Sequence, residues 1–279
     1  MAWPALNRRG LLTLGLGAAL PAQGAEVGGA VASFSILGDF VRQLAGPTLP
    51  VQTLLGPGAD PHDFAPRPSH AVALRQAALV VRNGLGLEPW LDRLLASAQP
   101  RGLVVTASAG LGLPPGADPH AWLNPAVGQH YARSIGAGLA QALPNWPLNP
   151  AFASRLAALD AWMADEFASV PAARRVFVCG HAAFGHLAQR FGLEMLAPQG
   201  ESAGAVAAIV RQVRQRGLRA LFATGADDAR LMAQLAAAAG VPLAGRLYAE
   251  SLSPPGGPAA TYEALMRHNT ALMVSAMRG

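Results

Sequence analysis

The chain has 279 residues, 52% hydrophobic and 13% charged, a balance that excludes an intrinsically disordered protein and allows one large domain or two modest ones. Its formal charge of +5 falls to +3, with 19 basic against 16 acidic residues, once Arg8 and Arg9 of the N-terminal segment are set aside. Every basic residue is Arg, densest at Arg211, Arg214, Arg216 and Arg219 on a helix-like segment, and no aromatic or glycine-rich motif accompanies them, so no nucleic acid is expected as a partner.

Residues 1–25 read as an export signal. Arg8 and Arg9 precede the apolar run Leu11–Leu20, and small residues follow at Ala22-Gln23-Gly24. The run is too short to span a bilayer and fits a secretory core. Asn7-Arg8-Arg9-Gly10-Leu11-Leu12 also partly matches a twin-arginine signal, with Leu where an aromatic is usual. No other stretch suits a membrane span, so the mature chain is expected outside the cytoplasm without a transmembrane segment. The single cysteine, Cys179, leaves no internal disulfide, and stability must rest on core burial.

Beyond the signal, short β-like runs alternate with helical patterns. Strands are expected at Val31–Leu37, Val51–Leu55, Leu79–Arg82 and Gly102–Thr106, each followed by Gly, Pro or Asp and a helical stretch, the pattern of βα units on a parallel sheet. A second set is expected at Val176–Cys179, Glu194–Leu196, Ala220–Ala223 and Leu243–Leu247, with Gly192, Gly217 and Gly240 where helix C-caps should fall. Between the sets, Asn149–Val170 carries Phe152, Leu156, Leu159, Met163 and Phe167 at helical spacing, a rod of about 30 Å. The expected fold is α/β: two parallel-sheet lobes, over 26–147 and 173–279, joined by one long rigid helix over 148–172, with a site in the cleft between them.

The sharpest motif is a repeated hexapeptide. Pro57-Gly58-Ala59-Asp60-Pro61-His62 recurs identically as Pro115-Gly116-Ala117-Asp118-Pro119-His120, each copy between a strand and a helix. Ligands of open α/β sheets bind at that edge. Proline restricts the preceding Asp to extended geometry and suits a helix start that Asp can cap, so each His is expected to project from a first helical turn. The flanking sequences differ, which gives no ground for a domain duplication. A third histidine, His181, follows Val176–Cys179 directly after Gly180, and Glu250 comes soon after Leu243–Leu247. Three imidazoles and a carboxylate at four strand ends suit a tetrahedral Zn²⁺ with no open position.

The sequence resembles the zinc- and manganese-binding solute-binding proteins of bacterial ABC transporters, the group whose lobes are joined by a long helix. The matching segments are Gly58–Phe64 with Pro66 and Pro68, Asn83–Glu88 with Trp90-Leu91, Asp118–Leu123, His181–Gly185 and Tyr248–Leu252, in the expected order over nearly the whole mature chain. The resemblance implies that His62, His120, His181 and Glu250 are the metal ligands, two from each lobe. It further implies docking of the loaded protein on the membrane permease of a metal importer; with the export signal, the expectation is a periplasmic monomer that is not an enzyme. Glu250 stands where the family usually has Asp and leaves monodentate and bidentate coordination both open. Asn124 stands where Asp is frequent, and the His-rich collecting loop of many zinc members is absent, with only Leu111–Ala117 in its place.

Imidazole-rich ligation favours zinc, while manganese, the alternative ion, prefers more oxygen ligands. A three-His zinc hydrolase would need an open coordination position and a base, which Glu250 supplies only if it does not bind metal. An organic-ligand binder on the same fold would leave the histidines unexplained, whereas an adhesin role for that fold is an alternative the sequence leaves open. The other candidates read as structural. His70, His130 and His268 lie on helix-like segments outside the motifs. His186 lies about 500° around a helix from His181. Cys179 reads as a small buried hydrophobe, Glu201 as a helix-start residue, and Trp90 and Trp122 as core anchors. Asp60 and Asp118 read as helix caps, with a role in orienting a ligating imidazole as the alternative.

Overall fold

The computed structural model describes Met1 and residues 28–198, 200, 202–225 and 228–279. The expected export signal and Glu201 lie outside the described residues. The first half runs β1 (Ala30–Ala32), α1 (Ser35–Ala45), β2 (Val51–Thr53), α2 (Pro68–Gln76), β3 (Leu79–Arg82), α3 (Pro89–Ala98), β4 (Leu103–Thr106) and α4 (Pro125–Ala142). After α5 (Ala151–Ala168) come β5 (Val176–Cys179), α6 (Gly185–Phe191), β6 (Glu194–Leu196), α7 (Ala203–Arg216), β7 (Leu221–Ala223), α8 (Ala229–Ala239), β8 (Gly245–Arg246) and α9 (Tyr262–Arg278). Each half builds one four-stranded parallel sheet, ordered β2-β1-β3-β4 and β6-β5-β7-β8. Both sheets thus repeat one strand order, whereas both hexapeptides belong to the first sheet. The peptide repeat therefore does not mark the repeat of the fold.

Every expected strand forms, but the first is much shorter than its apolar run. β1 ends at Ala32 and Ser35 already opens α1. The residues Ile36, Leu37, Phe40, Val41 and Leu44 continue that run at helical spacing, and all are buried. They are the face of a helix enclosed on several sides, which is why its first turn reads like a buried strand. The last strand contracts similarly, from Leu243–Leu247 to two residues at β8. Gly192, Gly217 and Gly240 each end a helix in the left-handed region, as expected.

The joining helix α5 is 18 residues, about 27 Å long. Its stripe Phe152, Leu156, Leu159, Met163 and Phe167 is fully buried. It packs on α4 of the first lobe and on α6 and α9 of the second. A single hydrophobic cluster runs from β1, β3 and α1 through α5 to Phe177, Phe184, Phe222 and α9. A smaller cluster seals the outer face of the second sheet beneath α7 and α8. Because the main core is continuous between the lobes, a wide hinge opening would expose apolar area at roughly 25 cal/mol per Å². Among the described residues, no helix is long and apolar enough to cross a membrane.

Candidate metal centre

The carboxyl edges of both sheets face each other, and the four sequence-identified residues meet there. His62 lies on the long loop after β2, His120 on the loop after β4, His181 two residues beyond β5, and Glu250 four residues beyond β8. Among the described residues, these four form the one cluster able to offer several metal donors, with all four donor atoms within 4.8 Å of one another. His62 Nε2 lies 3.1 Å from His120 Nε2. Glu250 Oε1 lies 3.2 Å from His62 Nε2, 3.4 Å from His120 Nε2 and 3.1 Å from His181 Nε2. A regular tetrahedron with bonds of about 2.0–2.1 Å has edges of about 3.3–3.4 Å, so these separations match a four-coordinate ion of zinc's size.

The two hexapeptides do not start helices. In each, the Asp Oδ1 accepts a hydrogen bond from the backbone N–H of the His two residues on, at 2.7 Å for Asp60 and 3.0 Å for Asp118. Such a local turn competes successfully with helix formation. His62 therefore stands on an extended loop that reaches α2 only at Pro68, and His120 precedes a single 3₁₀ turn, Ala121–Leu123. The N-cap of α4 is Asn124, whose Oδ1 accepts from Ala126 N at 3.0 Å. An Asp would cap this helix equally well, so the cap does not explain the amide in place of the carboxylate.

Identical sequence also leads to two different environments. Asp118 Oδ1 lies 2.7 Å from His120 Nδ1 as well, which directs the opposite nitrogen, Nε2, toward the cluster. Asp60, an exposed residue, serves the backbone of its own His. The side chain of His120 is 4% exposed, against 34% for His62, 46% for His181 and 22% for Glu250. Burial alone would lower the pKa of His120, but hydrogen bonds to Asp118 and Glu250 outweigh it and hold the imidazole above its ordinary value. Burial would raise Asp118 and Glu250, yet both carboxyls are held below the usual range. For Asp118 the cause is the bond to His120, and for Glu250 it is the bonds to His120, His181 and His62.

The two tryptophans do more than fill the core. Trp90 Nε1 donates to Pro61 O at 2.9 Å, and Trp122 Nε1 donates to Ala249 O at 3.0 Å. Each indole thus grips the carbonyl of the residue immediately before a cluster member. Asn83 Nδ2 donates to Pro119 O at 3.0 Å, one residue before His120. Asn83 is itself held by Tyr131 OH, 2.6 Å from its Oδ1, and by the fully buried Glu88, whose Oε1 accepts from Asn83 N at 2.8 Å. The sequence marks the Asn83–Glu88 segment only by resemblance, because its bond to the loop of His120 spans 36 residues.

The remaining histidines lie outside the cluster. His70 Nδ1 accepts from Arg67 N at the start of α2, and His130 and His268 meet backbone carbonyls of Ala109 and Arg246. His186 Nε2 lies 2.8 Å from Asp118 O, a contact between lobes that sequence reading missed. Cys179 is buried, with a thiol pushed well above its ordinary pKa by burial, and its Sγ donates to His181 O at 3.1 Å. On the second-lobe side the cluster opens to a cavity of about 540 Å³, also bordered by Asp60, Thr224 and Asp228.

Comparison with known proteins gives a consistent family. Residues 30–276 match the model described as ZnuA, zinc-uptake complex component A, periplasmic. The chain is 29% identical over 262 residues to the manganese-binding lipoprotein MntA of Halalkalibacterium halodurans, covering 88% of this chain and 87% of that protein. It is 28% identical over 254 residues to the iron-binding protein YfeA of Yersinia pestis, covering 85% and 82%. Among solved structures, the periplasmic zinc-binding protein TroA of Treponema pallidum superposes with a TM-score of 0.81 at 25% identity, covering 90% of this chain and 99% of that one.

Proposed function

The chain belongs to the periplasmic metal-binding family of the zinc-uptake component, and from that premise we propose that it captures a single Zn²⁺ ion with His62, His120, His181 and Glu250. Members of this family are solute-binding components of metal importers and not enzymes. The ion is therefore cargo, destined for a membrane permease.

The observation that carries the reading is the approach of all three Nε2 atoms to one oxygen, Glu250 Oε1, at 3.1–3.4 Å. Three neutral imidazole nitrogens and one carboxylate oxygen make a closed tetrahedral shell suited to zinc, whose filled d shell imposes no other geometry. Manganese favours more oxygen donors. A manganese or iron cargo, which the names of MntA and YfeA favour, would need Glu250 Oε2 or water to enlarge the shell. A hydrolase would require an open position and a free base, and the contacts of Glu250 to all three imidazoles speak against both.

Metal analysis with native mass spectrometry of protein exported from its own host tests this. One zinc per chain, lost in the His120→Ala variant, is the expected result. Unchanged metal content in that variant, or manganese or iron in the wild type, would overturn the assignment.

A further inference from the structure

Glu250 follows β8 of the second sheet, yet its backbone surroundings are supplied by the first lobe. Attachment to the second lobe comes just before it. Leu247 N donates to Ala223 O at 2.8 Å, and Tyr248 exchanges two hydrogen bonds with the Asn269 amide at 2.9 and 2.6 Å. From Ala249 onward the partners change. Ala249 O accepts from Trp122 Nε1 at 3.0 Å, Ser251 Oγ accepts from Gly58 N at 3.1 Å, and Leu252 N donates to Ser35 Oγ at 2.9 Å. Further on, Tyr262 N donates to Asp39 Oδ2 at 2.8 Å, and Tyr262 OH closes the circuit by donating to Trp122 O at 2.6 Å. Gly128 allows that last contact, since a Cβ there would stand 2.6 Å from the Tyr262 hydroxyl.

We propose that Trp122 is a positioning residue for the metal site: through Ala249 O it fixes Glu250 against His62 and His120, so that three donors belong to the first lobe and His181 alone to the second. The inference rests on the reading of these four residues as ligands, and it revises the expected division of two donors from each lobe. The donor separations do not divide the set, since Glu250 Oε1 lies 3.1 Å from His181 Nε2 against 3.2 and 3.4 Å from His62 and His120; the bonds of Ala249, Ser251 and Leu252 to the first lobe carry the assignment. Trp122 and Ala249 are both buried, so no water replaces the indole N–H when it is lost. A preassembled three-donor face meets the ion with little ordering cost. Tilting of the lobes then changes chiefly the reach of His181, the most exposed of the four.

A double-mutant cycle read by zinc competition against a chromophoric chelator tests the proposal on the full chain. Trp122→Phe keeps an aromatic ring beside His120, whose ring centroid lies 5.3 Å away, and removes the N–H. The expected loss of zinc affinity is about 10-fold to 100-fold, the scale for residues that orient metal ligands. Because Trp122 acts through Glu250, its substitution should cost nothing further in a Glu250→Ala background. In a His181→Ala background it should cost its full factor. A general structural weakening would lower affinity alike in both backgrounds, and that result, or an unchanged affinity in Trp122→Phe, overturns the proposal. Absence of zinc binding by the wild type would instead refute the site itself. If Trp122→Phe melts below the assay temperature, Ser251→Ala replaces it in the same cycle, since it releases Gly58 N from the Glu250 loop without opening a large cavity.

Discussion

The two identical hexapeptides allow a controlled comparison, because the same substitution can be made in both. Asp118→Asn removes a negative charge 2.7 Å from His120 Nδ1 while leaving an amide oxygen able to accept from the same ring nitrogen and from His120 N. The tautomer should survive and the charge assistance should not. Charge-assisted bonds contribute about 1.5–3 kcal/mol and neutral ones about 1 kcal/mol, so the difference is on the order of 1.4 kcal/mol, or about tenfold in zinc affinity. Asp60→Asn keeps the bond to His62 N, and no such contact from Asp60 to the imidazole contributes to the cluster geometry, so it should change affinity less than about twofold. Competition titration of wild type and both variants at pH 7.5 measures the contrast. Equal losses at the two positions, or the larger loss at Asp60, would refute the argument that the histidines are supported differently.

Three further outcomes follow from the same structure. The raised pKa of His120 makes a stabilising contribution that is complete below the unfolded value of 6.5 and lost as pH rises through the folded value. The lowered pKa of Glu250 makes one that is present above 4.5 and lost as pH falls. The metal-free protein should therefore draw most from this cluster between these values. Zinc, which needs deprotonated ligands, should raise the melting temperature more at pH 8 than at pH 5.5, as calorimetry with and without zinc would show. Leu159→Ala in α5 should cost about 2–5 kcal/mol in urea unfolding, because that side chain is fully buried in the stripe joining the lobes. X-ray scattering should find nearly the same radius for metal-free and loaded protein, given the core shared between lobes. A change of several ångströms would contradict that core's continuity in solution.

Much of this architecture is legible in the sequence because it depends on local pattern. The strand Leu79–Arg82, the buried stripe of α5 and the three glycine caps are each set by residues within one or two turns. His62 and His120 stand out because the Asp-Pro-His turn is a local device used twice. What stays illegible is tertiary. Nothing in two identical hexapeptides distinguishes Asp118, whose carboxylate meets its own histidine's ring, from Asp60 on its exposed loop. The bond from Trp122 to Ala249 crosses 127 residues, and its direction across the lobes reassigns Glu250. The strand expected to reach Leu37 ends at Ala32 because Ser35, Ile36 and Leu37 already form the first turn of α1, and a short apolar run reads alike as strand or buried helix until the later turns of α1 are taken with it.

Whether these four side chains surround one ion is decided by a crystal structure of the zinc-loaded protein with anomalous data at the zinc edge. One strong peak is expected about 2.0–2.1 Å from Nε2 of His62, His120 and His181 and from a single oxygen of Glu250. A peak bound elsewhere, or a shell from which Glu250 is absent, would contradict it.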